Sequence, residues 1–128
     1  MEDILHNMLN TVSIKKNYEF MKVYKKGRFY VGKFIIMYVL ANNLNINRIG
    51  ITVSKKTGKS VKRNKVRRII KENYRFYEPF IKTGNDFVFV ARSNDLIPEF
   101  NVIKKEMKFL IKKLGVLDQE KWHCLKSS

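Results

Sequence analysis

The segment Lys55 to Arg75, KKTGKSVKRNKVRRIIKENYR, carries ten cationic side chains and one acid, Glu72. Gly58 ends a basic loop, Ser60 can cap a helix, and Pro79 closes that helix after about Glu78. On a wheel of about 100° per residue, Val66, Ile69, Ile70, Tyr74 and Tyr77 share one side. Asn64, Arg67, Arg68, Lys71 and Arg75 share the other. The segment therefore predicts a helix with a core face and a nearly unmixed cationic face. A solvated face normally mixes signs and gains i,i+4 pairs, whereas Arg67 with Lys71 and Lys71 with Arg75 are like-charge pairs. Repulsion tolerated in the free protein points to a polyanionic partner, and the guanidinium fork and the Asn64 amide suit RNA.

Working outward, Ile49, Ile51 and Val53 alternate with Gly50, Thr52 and Ser54, a strand with one greasy face and one small, polar face. The run Phe34 to Ala41 is apolar on both faces, so it reads as a strand covered on both sides, with a ligand as one possible cover. Arg28 to Val31 can add a short strand before it. Further upstream, Asn17 can cap a short helix through about Lys26 that presents Phe20, Met21, Val23 and Tyr24, with Gly27 as its stop. Downstream, Asp86 to Arg92 reads as a strand. Ile103, Met107, Leu110, Ile111 and Leu114 then recur at helical spacing until Gly115. The order is α-β-β-β-α-β-α, an α+β chain. Residues 1–13 read as an N-terminal extension, 14–114 as the domain, and 115–128 as a C-terminal tail of little periodicity whose Trp122 is loosely docked or a binding residue.

A length of 128 residues suits one domain, and the formal net charge of +16 asks for a polyanion. Nucleic acid is favoured over membrane because no apolar run approaches the roughly 18 residues of a spanning helix. The start Met1-Glu2-Asp3 lacks a basic n-region, and the single cysteine, Cys124, suits a reducing cytoplasm. Gly58-Lys59-Ser60 imitates the end of a phosphate loop, but Val53 stands where its first glycine is required. His123 and Cys124 alone make a poor metal site, and the acids form no evident cluster. Phe20 and Tyr24 lie one turn apart, and Phe34, Ile36 and Tyr38 alternate on one strand face beside Gly50, Thr52 and Ser54. A concave sheet face edged with aromatics suits unpaired nucleotides, though each ring also suits a core.

GKSVKRNKVRRIIKENYR resembles the signature helix of the bacterial ribonuclease P protein, whose pattern centres on Arg-Asn-Arg; here Lys65 replaces the third residue. IKKNYEFMKVYKKGR at Ile14 to Arg28 is similar to that family's first helix. RIGITVSKKTG at Arg48 to Gly58 and NDFVFVAR at Asn85 to Arg92 are similar to two of its strands. The resemblance implies a two-layer αβββαβα sandwich with a central sheet and a left-handed crossover around the long basic helix. It implies that Arg63, Asn64, Lys65, Arg67, Arg68 and Lys71 bind the catalytic RNA of ribonuclease P. It further implies that a cleft at Phe20, Tyr24 and Tyr38, with Ile36 nearby, holds the single-stranded 5′ leader of precursor tRNA. Hydrolysis would rest on Mg²⁺ bound mainly by the RNA subunit, with no catalytic residue on the protein and no protein partner required. Two rivals remain at this point: a stand-alone nuclease, and a ribosomal or other structured-RNA-binding protein.

Overall fold

The alternating segment and the doubly apolar run become neighbours of one central strand. In a computed structural model describing residues 9–92 and 97–127, five strands form one sheet. They are β1 (Thr11–Ser13), β2 (Arg28–Val31), β3 (Ile35–Ala41), β4 (Asn47–Val53) and β5 (Asn85–Ala91), in the spatial order β1-β4-β5-β3-β2. β4 and β5 are parallel, and α2 (Ser60–Tyr77) makes the crossover between them; β5 and β2 pair antiparallel to β3. The other helices are α1 (Asn17–Lys26), α3 (Phe100–Lys113) and α4 (Gln119–Ser127). This is the expected α+β architecture.

The register explains why β3 is apolar throughout. Ile51, Phe89 and Met37 lie in one cross-strand row, and Ile49, Phe87 and Val39 in another, on the same face. That face meets Val66, Ile70, Tyr74 and Tyr77 of α2 and Ile103, Met107, Leu110 and Ile111 of α3, forming the main core. Rings such as Phe87 and Phe89, fully buried, each contribute about 1.5–3 kcal/mol relative to exposure. The opposite face carries the rows Gly50–Val88–Tyr38–Phe29 and Thr52–Val90–Ile36–Val31. α1 covers only part of it, burying Val23 with Ile14 and Val88.

Two short segments have structure that their sequence did not announce. β1 pairs with β4, held by the buried Glu78 carboxylate, which accepts the backbone N–H groups of Leu9 (2.7 Å) and Asn10 (3.2 Å) and the Thr11 hydroxyl. Three residues are too few to show a strand period. Trp122 on α4 is not loosely docked: it is buried in the main core, 5.3 Å from the Phe80 ring and 6.3 Å from Tyr77. One anchoring residue in nine leaves no helical repeat to read. The caps differ as well. The N-cap positions of α1 and α2 are Lys16 and Lys59, not Asn17 and Ser60, and Glu19 accepts the Lys16 N–H at 3.2 Å.

Candidate nucleic-acid interface

α2 buries one side and leaves its cations on the other. Val66, Ile70, Asn73, Tyr74 and Tyr77 are buried, with Ile69 packed at the margin. Asn64, Lys65, Arg68 and Arg75 are exposed, and Arg63, Arg67 and Lys71 half-buried. Among the described residues, no acid pairs with Arg63, Lys65, Arg67, Arg68 or Lys71; Glu72 is 3.6 Å from Arg75. Arg63 instead donates to the Ser60 hydroxyl (3.1 Å) and Arg67 to the Asn64 carbonyl (3.4 Å), interactions that orient charge without neutralising it. Burial, reinforced by the Arg67 charge, pushes the Lys71 ammonium below its ordinary pKa. An approaching anion would reverse that repulsion. The basic turn before the helix is ordered by the Ser54 hydroxyl, which accepts the Lys56 N–H at 3.1 Å. Gly58, at φ +139°, takes a backbone conformation that side-chain-bearing residues avoid.

On the partly open sheet face, the ring of Phe20 lies directly on Gly50. A Cβ at Gly50 would come within 2.4 Å of that ring, so only glycine lets it rest on the sheet. Tyr24 meets Tyr38 edge-on at 5.0 Å, and its hydroxyl lies 2.9 Å from the Thr52 hydroxyl. Beyond these rings the row of Val31, Ile36, Val90 and Thr52 is only partly covered. Phe29, 5.3 Å from Tyr38, is 56% exposed. The structure thus brings Phe20, Tyr24 and Tyr38 together in one aromatic cluster, with Ile36 in the next row of the same sheet face. Gly50→Ala should displace Phe20 and cost about 1–3 kcal/mol, the range for overpacking, read as a lower urea midpoint.

A cationic helix face and an aromatic cluster on the sheet stand beside a direct match: the family model described as Ribonuclease P covers residues 8–115. The chain belongs to the ribonuclease P protein family. The ribonuclease P protein component of Thermoanaerobacter sp. (strain X514) is 49% identical over 102 residues, spanning 80% of this chain and 88% of the relative. That of Alkaliphilus metalliredigens (strain QYMF) is 44% identical over 110 residues, 86% of this chain and 99% of the relative. The structure of the Staphylococcus aureus RNase P protein superposes with a TM-score of 0.75 at 32% identity, covering 82% of this chain and 96% of the other.

Within this ribonuclease P family chain, two expectations for the aromatic sheet face need correction. Phe34 does not share the face of Ile36 and Tyr38: it precedes β3, where its N–H donates to Glu106 (2.9 Å) and its ring packs against the main core. Ser54 lies beyond the end of β4, as the cap of the basic turn. Phe29, Val31 and Val90 lie on the same sheet face without having been expected there, although the period-two spacing of Phe29 and Val31 is a usable signal. Nor was a role expected for Arg48, which pairs with Glu19 of α1 and with Asp86 of β5 (2.6 Å) and so fastens α1 to the sheet. No group of three His, Cys, Asp or Glu able to hold a metal ion occurs among the described residues.

Proposed function

We propose that the chain is the RNA-binding protein subunit of ribonuclease P, assisting endonucleolytic removal of the 5′ leader from precursor tRNA. The observation that carries this reading is the cationic face of α2, where Arg63, Lys65, Arg67, Arg68 and Lys71 have no acidic partner among the described residues. Arg63, Asn64, Lys65, Arg67, Arg68 and Lys71 bind the catalytic RNA, while Phe20, Tyr24, Ile36 and Tyr38 hold the single-stranded leader by stacking and apolar contact. The catalytic centre and its Mg²⁺ belong mainly to the RNA subunit; the protein residues bind, orient and screen two RNA backbones from each other. The assembly works in the cytoplasm and requires no second protein. Purification of the tagged full chain from its own cells should enrich one abundant structured RNA. Enrichment of ribosomal RNA would favour a ribosomal role instead.

The aromatic cluster makes a selective prediction. Phe20→Ala or Phe29→Ala should weaken holoenzyme binding of precursor tRNA by about 1–3 kcal/mol, the stacking value per base, and leave mature tRNA affinity nearly unchanged. Phe20 also packs on Gly50 beside the Val23 and Val88 cluster, so urea unfolding must accompany the binding assays. Equal losses for both tRNAs would remove these rings from the leader site.

A further inference from the structure

Between the C-terminal half of α2 and the first turn of α3 lies an open groove of about 290 Å³, lined by Glu72, Arg75, Phe76 and Phe100. Its volume sits near the lower end of the roughly 300–1,000 Å³ typical of small-molecule pockets. Phe76 and Phe100 are each 42% exposed, so both rings offer open surface to the same depression. Lys104 Nζ stands 3.9 Å over the Phe76 ring, adding a cation beside the groove and covering one ring face, so that a base can stack only on the part of the ring left exposed. The walls are tied together from below. Asn73 donates to the carbonyls of Ile69 (3.0 Å) and Phe100 (3.2 Å), and the Tyr77 hydroxyl donates to the Lys104 carbonyl (2.8 Å), joining α2 to α3. Arg75 also belongs to the cationic face, so the groove opens directly from it.

The pair of Arg75 and Glu72, 3.6 Å apart and each about two-fifths exposed, is too weak and too solvated to be a structural tie. Its chemistry is that of a base reader. A carboxylate accepts from the N1–H and N2–H groups of guanine, and a guanidinium donates to O6 or N7, while aromatic walls take the ring by stacking. A second copy of a chain with net charge +16 would bring repulsion to this surface, whereas RNA brings complementary phosphate.

We propose that this groove captures an unpaired guanine of the ribonuclease P RNA, stacked at Phe76 and Phe100 and read by Glu72 and Arg75. The inference rests on the RNA-binding function proposed above. Its test is chemical footprinting of the RNA subunit with kethoxal, which attacks the N1/N2 edge of unpaired guanine, in complexes with the intact protein, Phe76→Ala and Glu72→Gln. One guanine should be protected by the intact protein and regain reactivity with both variants, and Phe76→Ala should bind the RNA roughly 5- to 150-fold more weakly. Should Phe76→Ala fail to fold, Glu72→Gln, a surface change, decides alone. A complex that forms normally but protects no guanine sensitive to these variants overturns the proposal and leaves the wider function standing. Failure of the intact protein to bind the RNA overturns both.

Discussion

Arg48→Ala lowers the unfolding free energy by about 3 kcal/mol, the lower end of the loss when one partner of a buried ion pair is removed, because Arg48 is itself only partly buried. Asp86, only 5% exposed at its side chain, is left charged in the sheet with Asn42 as its remaining donor (2.9 Å), which places the loss toward the lower end. Glu19 is released at the same time, so α1 loses its ion pair to β4 and keeps the Tyr24–Thr52 hydroxyl contact and the apolar packing around Val23. The Arg48 hydrogen bond outweighs desolvation and holds the Glu19 carboxyl below its ordinary range. A depressed carboxylate contributes stability that is present above the unfolded-state pKa and lost as pH falls through the folded value. Urea midpoints measured down the acid range should therefore fall less steeply in Arg48→Ala than in the intact chain. Combining Arg48→Met with Asp86→Asn should cost less than the sum of the single changes, because no buried charge is then left alone. Additive losses would mean that the pair is not coupled.

The largest functional effect is expected from removing three charges of α2 together. Arg67→Ala/Arg68→Ala/Lys71→Ala should lower the magnitude of the log K versus log salt slope for the RNA subunit by about three units, one for each phosphate no longer neutralised. None of the three side chains touches an acid among the described residues, so the fold should survive, and easing the Arg67–Lys71 repulsion should slightly raise the urea midpoint. An unchanged slope would show the face to be merely solvated.

How much of this was legible follows from the range of the forces involved. α2 could be read because a period of 3.6 separated Val66, Ile70, Tyr74 and Tyr77 from the cations and Pro79 marked the end. β3 could be read because both of its faces are covered, one by α2 and α3 and one by α1 and aromatic neighbours. Phe34 departs from the alternation because the chain bends before β3, a bend stabilised from 72 residues away, where Glu106 accepts the N–H groups of Lys33, Phe34 and Ile35. Asn73 shows the same limit: a polar residue on the core side of α2 finds its second acceptor on α3, which no local pattern encodes. The cluster residues were found as residue types, but that Phe20 rests on Gly50 depends on the β4–β5–β3 register and on where α1 lies.

A protein that only positions RNA leaves the chemistry to its RNA partner. Precursor tRNA cleavage at low Mg²⁺, measured with the protein alone, the RNA subunit alone and the two together, decides whether this chain is such a protein. No cleavage by the protein, little by the RNA, and a marked rise for the pair are expected. Cleavage by an RNA-free protein preparation, or no rise on adding the protein to the RNA, would contradict that role.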